Sequence, residues 1–310
     1  MKNIIAIIAT KNRISLFEKT ANSIFRQIKN PTLTIVASDS SDENYEIEKS
    51  ICAKYGFIII RDEYEHNYAG NLNSAIDFII REYVINGLVD PKETFLAFLD
   101  DDDVWERDYL QECSERIEPG IDFIVAGLFY KTDEKEFPLS VPHRFDTKSF
   151  LISNPHVQGS NTFVRFSSVL EAGCFDENMS STTDRDIFTR LLMLNPGYSV
   201  IEKCLVKVDA GKERPRLTTN RVGKKESLSK FYSKYGGIMT ENEKKRFCER
   251  ANRFCEFDLK SLGSCLGGHM EQSVSMAGET RTNVFRGRIV FSFIAINEEL
   301  AIRLLKQIAA

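Results

Sequence analysis

Four runs of apolar residues in the first hundred positions are continuous and do not alternate between apolar and polar. They cover residues 4–9, 33–38, 57–61 and 94–100. Strands that are buried on both faces of a sheet have this pattern, and parallel sheets are buried in this way. Segments with helical periodicity separate the runs. The sequence therefore predicts a Rossmann-like α/β fold, in which helices flank a mostly parallel sheet.

Strand and helix patterns continue to alternate up to about residue 225, and from residue 226 onward the pattern is helical. We therefore expect an α/β domain over residues 1–225 and a C-terminal α-helical extension over residues 226–310. Two capping boxes are expected to start helices. They pair Ser15 with Glu18 and Thr240 with Glu243.

The apolar run at 94–100 leads directly into four consecutive aspartates at positions 100–103. Ligands of open parallel sheets bind beyond the carboxyl ends of the strands. Mg²⁺ and Mn²⁺ prefer oxygen ligands and commonly bind carboxylates together with phosphate oxygens. The sequence therefore predicts a site for Mn²⁺ or Mg²⁺ with a diphosphate. A solvated acidic turn is the alternative.

Polar residues also follow the earlier strands. Thr10, Asn12 and Arg13 end the first strand, Asp39 follows the second, and Asn71 stands near the start of the helix after the third. A carboxylate at position 39 can accept the ring N–H of uracil or guanine, and a turn or helix-cap aspartate is the alternative. Helix N-termini favour anions. We expect these strand ends to form a nucleoside pocket.

Charge and cysteine content exclude several other classes. The formal net charge of −4 argues against a general nucleic-acid binder. No apolar run approaches the roughly 20 residues that span a bilayer. Seven cysteines, an odd number without a CxxC pair, suggest neither a disulfide framework nor a zinc site. Reduced thiols and a cytoplasmic location are expected, with peripheral contact at the inner membrane face left open.

Several motifs, taken in order, resemble a known family. "FLDDDDVW", after strands ending "IIATKNR" and "IVASDSSD", resembles the nucleotide-sugar-binding half of the GT-A fold. It is most similar to the inverting glycosyltransferases of family 2, whose pattern is close to "FLDADDxW". "HNYAGNLNSA" is similar to their "N-x-G-x-x-x-A-R-N-x-G" segment but lacks the arginine. The resemblance covers about residues 3–210, and implies a nucleotide-sugar part over about 1–130 and an acceptor part over about 131–225.

A later segment, from "NTFVRF" to "DIFTRLL", resembles the family's "GxFDE…EDxDLxxRL" pattern. The matching positions are Gly173, Phe175, Asp176, Glu177, Asp184, Asp186 and Arg190.

The resemblance implies a metal-dependent inverting glycosyltransferase. Asp100 and Asp102 would form its DxD pair, with Asp102 favoured as the metal ligand and Asp100 or Asp101 as the ribose contact. Asp184 matches the catalytic base. The donor would be a nucleoside diphosphate sugar, and UDP is favoured because Asp39 suits the single ring N–H of uracil. The acceptor would be a glycan, a lipid-linked molecule or a protein, in bacterial glycan or glycoconjugate synthesis.

Asp184 also has an interpretation from the residues themselves. It begins a predicted helix after the polar run "SSTT". An inverting transfer needs one general base on the acceptor hydroxyl. The alternative is a helix-start acid, with Asp186 adding to the dipole stabilisation. The resemblance favours the base. Arg190 is expected to pair with an acid, and Asp103 to cap the following helix.

Residues 206–225 carry seven lysines and arginines against two acidic residues. We expect this segment to form a basic lid over the diphosphate, with a solvated loop as the alternative. The family often has a metal-binding histidine here, and none of the four histidines falls in the segment. The third protein ligand of the metal is therefore left open. His156 is a candidate contact for donor or acceptor.

Two other functions remain open. "DDDDV" satisfies the D-x-D-x-[TV] motif of haloacid-dehalogenase-type phosphatases, with Asp100 and Asp102 as its acids. That motif usually ends the first strand of its fold, whereas three strand–helix units precede it here. The other alternative is a GT-A protein that binds a nucleotide sugar without transferring it. The C-terminal helices are a candidate surface for a homo-oligomer.

Overall fold

Parallel strands flanked by helices form the first part of the chain. The computed structural model describes residues 3–179, 181–209, 221–255 and 257. The strands found there are β1 (Asn3–Thr10), β2 (Leu33–Ser38), β3 (Ile58–Arg61), β4 (Thr94–Asp100), β5 (Val104–Trp105), β6 (Ile121–Lys131), β7 (Glu136–Leu139), β8 (Thr162–Arg165) and β9 (Gly197–Asp209). They form one sheet in the order β3-β2-β1-β4-β8-β6-β9-β5, with β7 paired to β6.

Nine α-helices accompany these strands in the described part of the chain. They are α1 (Ile14–Phe25), α2 (Asp42–Tyr55), α3 (Tyr68–Ile79), α4 (Tyr109–Glu115), α5 (Thr147–Ile152), α6 (Phe166–Glu171), α7 (Thr183–Met193), α8 (Arg221–Tyr235) and α9 (Glu241–Ala251). None of the helices described combines the length and apolar character that crossing a bilayer requires.

The strands β1 to β4 confirm the pattern of continuous apolar runs. β1 lies between β2 and β4, and all of its pairings are parallel, with Ile7 opposite Ile35 and Phe98. Ile7 packs on the face covered by α3, whereas Ile8 packs with Phe17 of α1 on the opposite face. Because helices cover both faces of the sheet, side chains on both sides of each strand are buried, which explains the continuous apolar runs.

The second half of the sheet mixes directions. β8 is antiparallel to both β4 and β6, while β6 and β9 are parallel. Val164 and Phe163 of β8 are buried on opposite faces of the sheet, so an antiparallel strand shows here the same apolar pattern as its parallel neighbours. The β4–β8 pairing has a functional consequence, because it places residues 159–161 beside the carboxyl end of β4.

One of the two predicted capping boxes is wrong. Helix α1 begins at Ile14 after Arg13 without a side-chain cap, so Ser15 lies inside the first turn and cannot cap it. The box at Thr240 and Glu243 is confirmed, since each side chain bonds the backbone N–H of the other residue.

Helices α8 and α9 pack against the α/β domain through a separate apolar cluster. Phe231 and Tyr235 of α8 pack with Phe247 of α9, and Leu151 and Met179 complete the cluster from the domain side. Helix α8 begins at residue 221, ahead of the boundary expected at 225. Residues 258–310 of the predicted helical extension lie outside the described residues.

A buried carboxylate joins α8 to α7. Asp186 is fully buried and accepts hydrogen bonds from Arg190 (2.6 Å) and from Tyr235 (2.6 Å). Lys234 lies 2.7 Å from Asp186 and 2.6 Å from Asp176. The expected pairing of Arg190 with an acid is thus confirmed. Two basic groups and a hydroxyl compensate the buried charge, so the C-terminal helices dock on a specific polar anchor as well as an apolar one.

The cysteines of the described residues are free thiols, and Cys265 lies outside that part of the chain. Burial raises the pKa of Cys52 and of Cys174 to about 12. Both therefore stay protonated at neutral pH, which lowers their reactivity.

Replacing Lys234 by methionine tests the anchor. The change leaves the carboxylates of Asp186 and Asp176 without their shared ammonium group, and we expect the free energy of unfolding to fall by about 2–4 kcal/mol. Urea denaturation at pH 7 measures it. Lys230→Met is the control, because Lys230 pairs with Glu226 on the exposed side of the same helix. An exposed pair of this kind contributes about 0.5 kcal/mol or less.

The stability difference between wild type and Lys234→Met should also depend on pH. Burial raises the pKa of Asp176, but the charge of Lys234 and hydrogen bonds from Lys234 and Asn178 outweigh it, so the net pKa is lowered. An acid with a lowered folded-state pKa contributes stability that is present above its unfolded pKa of about 3.9 and is lost as the pH falls through the folded value. The difference between wild type and Lys234→Met should therefore shrink below about pH 4. A difference that grew on acidification would contradict the pairing.

Candidate active site

Four carboxylates lie on a turn at the carboxyl end of β4, which we call the aspartate turn (residues 100–103). The N–H of Asp103 donates to the carbonyl of Asp100 and closes the turn before β5 begins. Oxygens of Asp100, Asp102 and Asp103 lie within 4.8 Å of one another. The expected capping role of Asp103 is wrong, because Asp108 occupies the N-cap position of α4.

Arg13 compensates part of this negative charge. Its guanidinium lies 3.0 Å from Asp101 and 3.1 Å from Asp102. Asp101 also accepts hydrogen bonds from the Thr10 hydroxyl (3.1 Å) and the Lys11 backbone (3.3 Å). Burial raises the pKa of Asp101 to about 6 although Arg13 opposes the shift. The aspartate turn is therefore fastened to the end of β1.

Asp100 is held by two groups that are distant in sequence. The hydroxyl of Tyr68, near the start of α3, donates to Asp100 Oδ1 (2.6 Å), and the Asp100 N–H donates to Ser160 Oγ (3.1 Å). Burial first, then the charges of Asp184 and Asp102, raise the pKa of Asp100 to about 8. Carboxylates crowded in this way are expected where a bound cation normally compensates them.

Asp184 faces the aspartate turn across a glycine. It stands in the first turn of α7, and its Oδ1 accepts the backbone N–H of Gly159 (3.1 Å). A Cβ at Gly159 would lie 3.6 Å from a carboxylate oxygen of Asp184 and 3.6 Å from one of Asp100. Burial raises the pKa of Asp184 to about 6. Such a group is ionised at neutral pH and basic enough to accept a proton.

A cavity of about 700 Å³ brings these groups together. Of the residues predicted from the sequence, Arg13, Asp100, Asp101, Asp102 and Asp184 line it. Its other walls come from β6, β7, α5 and the C-terminal helices.

Thr10, Asn12 and Asn71 hold the strand ends together. The Asn71 amide donates to the Thr10 carbonyl (3.4 Å), and Thr10 is buried beneath the turn. Asn12 accepts hydrogen bonds from Ser41 (2.9 Å) and Asn44 (2.9 Å) and so ties the β1 end to α2. Asn71 lies within α3, which begins three residues earlier than expected because Asn67 caps the N–H of Gly70.

Asp39 belongs to a second polar cluster beside β2. His66 Nδ1 lies 2.9 Å from Asp39 and 3.7 Å from Asp62, and Lys11 also pairs with Asp39. The side chains of His66 and Lys11 are largely exposed, whereas Asp39 is nearly buried. A planar ring with a single N–H could displace either exposed partner from Asp39.

The expected lid over residues 206–225 is described only at its two ends. Residues 206–209 belong to β9 and residues 221–225 to α8, while 210–220 lie outside the described residues. Lys224 reaches the cavity, where its charge lowers the pKa of Asp184 against the effect of burial.

Sequence reasoning missed several residues that organise the site. Glu48 is fully buried in α2 and accepts hydroxyl hydrogen bonds from Ser38 (2.5 Å), Ser40 (2.7 Å) and Thr10 (3.4 Å). A signal existed, because Glu48 shares the buried face of its helix with residues three and four positions later. Tyr68, like Ser160, had no such signal.

The donor set of the aspartate turn fits a hard divalent cation. Asp100, Asp102 and Asp103 offer clustered carboxylate oxygens, which Mg²⁺ and Mn²⁺ prefer, and their mutual repulsion would be relieved by the charge of the ion. Asp103 is thus the nearest further candidate for the ligand that the sequence left open.

Comparison with known proteins shows which family the chain belongs to. The family described as "Glycosyl transferase family 2" matches residues 5–172, more than half of the chain. The chain belongs to glycosyl transferase family 2. This confirms the resemblance inferred from the aspartate motif. It also leaves the dehalogenase-type phosphatase without support. Among curated proteins, none matches the chain.

Solved structures confirm the GT-A fold of this family 2 chain. S. aureus TarS 1-349 in complex with UDP has a TM-score of 0.54 at 15% identity, with 96% of this chain and 88% of that chain covered. TarS 1-349 in complex with UDP-GlcNAc has a TM-score of 0.51 at 14% identity, covering 81% and 80%. The chain spans half the length of the longer TarS structure that it matches.

A mannosyltransferase, PcManGT from Pyrobaculum calidifontis, is also similar. Its complex with GDP-Man and Mn²⁺ has a TM-score of 0.52 at 14% identity, covering 99% of this chain and 84% of that chain. At such identities the similarity establishes the architecture.

Gly159→Ala tests how closely the carboxylates of Asp100 and Asp184 must approach each other. The new methyl group would lie 2.7 Å from the Tyr68 hydroxyl and would push it away from Asp100. We expect donor turnover to fall by about 100-fold, because small displacements of catalytic groups have effects of this size. The control is Gly237→Ala, where a Cβ meets open space.

The double variant Gly159→Ala/Tyr68→Phe separates this clash from a general packing defect. Removing the hydroxyl makes room for the methyl group, so the two changes should be less than additive in turnover. Full additivity would contradict the role assigned to the contact.

Proposed function

We propose that the chain transfers a sugar from a nucleoside diphosphate sugar to an acceptor hydroxyl, with inversion of configuration at the anomeric carbon. A UDP-sugar is the favoured donor. The observation that supports this is the position of Asp184, whose carboxylate faces that of Asp100 across Gly159. A base on one side of the reacting carbon and a diphosphate site on the other is the arrangement that direct displacement needs.

The aspartate turn is the proposed diphosphate site. Asp102, together with Asp100, would hold Mn²⁺ or Mg²⁺. When bound, the cation supplies Lewis-acid neutralisation of the diphosphate leaving group. Arg13 holds the carboxylates of Asp101 and Asp102, and Tyr68 fixes that of Asp100, so the ligand oxygens stay in position without the energetic cost of reorganisation.

Asp184 is the proposed general base. Its backbone hydrogen bond from Gly159 orients the carboxylate, and burial brings its pKa close to neutrality. The proton of the acceptor hydroxyl passes to Asp184 as the oxygen attacks the anomeric carbon, and the nucleoside diphosphate leaves on the opposite side. One direct displacement inverts the configuration at that carbon.

Asp39 is the proposed base-recognition residue. Its exposed partners are Lys11, which donates to it, and His66, whose Nδ1 lies 2.9 Å away, and a nucleobase N–H can replace either of them. A single ring N–H suits uracil, and TarS has been solved with UDP and UDP-GlcNAc. PcManGT has been solved with GDP-Man, which keeps guanine as the alternative. Thr10, Asn12 and Asn71 would shape the pocket from below, with Asp101 or Asp100 near the ribose.

The cellular setting proposed from the sequence is bacterial glycan or glycoconjugate synthesis in the cytoplasm. The acceptor would be a glycan, a lipid-linked molecule or a protein. A homo-oligomer through the C-terminal helices remains part of this proposal.

A panel of nucleoside diphosphates tests the donor site. We expect UDP with Mn²⁺ to raise the melting temperature most, because a ligand at 100 times its dissociation constant stabilises by about 2.7 kcal/mol. UDP without Mn²⁺ should give a smaller shift, and Asp102→Asn should abolish the difference. If no nucleoside diphosphate shifts the melting temperature with or without Mn²⁺, the proposal is wrong.

Asp184→Asn tests the base. The amide keeps the shape but cannot accept the proton, so sugar transfer should fall by about 10²–10⁴-fold, the usual contribution of a general base. Binding of UDP with Mn²⁺ should be retained in the same variant. Glu171→Gln, on the exposed face of α6, is the matched control for loss of one negative charge. Unchanged transfer in Asp184→Asn would remove this residue from the role.

A further inference from the structure

Cationic side chains gather in the part of the cavity beside Asp184. Arg185 comes from α7, Lys224 from α8 and Arg250 from α9, and His156 lies in the loop before Gly159. Within the described residues, no carboxylate forms an ion pair with Arg185, Lys224 or Arg250. Three separate helices thus direct positive charge toward the same cavity, in which Asp184 is the carboxylate that interacts with Lys224.

Arg185 is the most informative of these residues. It is only 7% exposed, and its guanidinium donates to the carbonyls of Phe150 and Leu151 while packing 4.0 Å above the ring of Phe231. Burial and then the charge of Arg250 lower its pKa to about 9, so it stays charged at neutral pH. Burying a charge without an opposite charge is costly. An anionic ligand would repay that cost.

The other cations repel one another. Burial, followed by the charges of Arg185 and Arg250, lowers the pKa of Lys224. Burial and then Arg250 lower the pKa of His156. The geometry also brings them together, since the Arg185 guanidinium lies 5.1 Å from the ring of Phe247 and the Lys224 ammonium lies 5.7 Å from that of Phe254.

These cationic side chains lie apart from the aspartate turn. Arg13 is the cation that acts on Asp101 and Asp102. Lys224, in contrast, acts on Asp184. Arg185 directly follows Asp184 in α7, and both line the cavity, so the cations lie on the side of the proposed base, where the acceptor must approach. Phe247 and Phe254, whose rings lie beside Arg185 and Lys224, also line the cavity and offer apolar surface to a sugar ring.

We propose that Arg185, Lys224 and Arg250 form a subsite for a phosphate or carboxylate group carried by the acceptor saccharide. The acceptor is thus an anionic glycan, with its charged group close to the hydroxyl that Asp184 deprotonates. The inference rests on the proposed function, since it assigns the acceptor side of that site.

Binding of small saccharides tests the subsite. Glucose 6-phosphate, glucuronate and glucose are titrated into the protein saturated with UDP and Mn²⁺. We expect at least one of the two anionic sugars to bind about tenfold or more tightly than glucose, as charge-assisted hydrogen bonds allow. Whichever of the two binds more tightly identifies the anionic group as phosphate or carboxylate. Equal affinity for all three sugars would overturn the proposal.

Arg250→Gln tests whether the anionic sugar binds at the proposed subsite. The variant should lose about tenfold in affinity for the preferred anionic sugar while its affinity for UDP with Mn²⁺ is unchanged. Arg246→Gln, on the exposed face of the same helix, is the control and should match the wild type. Weakened binding of UDP in Arg250→Gln, with unchanged sugar binding, would assign the cations to the donor diphosphate and overturn the acceptor subsite.

The two proposals can fail separately. Sugar titrations of the protein without nucleotide show whether the cationic subsite exists. If the anionic sugars bind there through Arg250 but no nucleoside diphosphate binds, the subsite stands and the transfer function fails. If UDP with Mn²⁺ binds and glucose matches the anionic sugars, the transfer function stands and the subsite fails.

Discussion

Repulsion between buried carboxylates is the constraint on which the site depends. Asp100, Asp102 and Asp184 meet where β4 ends, and their proximity would be unfavourable without compensation. The fold compensates in two ways. Arg13 supplies a fixed positive charge, while the Tyr68 hydroxyl donates to the carboxylate of Asp100 and the Gly159 N–H donates to that of Asp184. The remaining negative charge faces the cavity, where a divalent cation with a diphosphate is expected.

Local sequence patterns predicted the parallel half of the fold because burial on both faces leaves a direct mark on a strand. The aspartate turn was predictable for the same reason, since it follows such a strand immediately. Asp184 was placed through the family resemblance, and the structure brings it beside the turn. The Thr240 box formed as predicted, whereas Ser15 does not cap its helix because the helix starts two residues earlier than the box requires.

What could not be predicted depends on contacts between distant segments. Ser160 reaches Asp100 because β8 runs antiparallel to β4, and Tyr68 reaches it from the start of α3. Glu48 gathers three hydroxyl groups because α2 packs across two strand ends. The C-terminal helices appeared in the sequence as an extension, but Lys224, like Arg250, shows that they form a wall of the cavity.

The anchor between α7 and α8 has a consequence for redesign. The groups proposed to bind the donor lie at the ends of β1, β2 and β4 and in α3, whereas the cations beside Asp184 come in part from α8 and α9. Exchanging residues 221–255 between related enzymes could therefore change acceptor preference while leaving nucleotide selection intact. Such a chimaera must retain Lys234 and Tyr235, because replacing either by a residue without a hydrogen-bond donor would leave the buried carboxylate of Asp186 short of a partner.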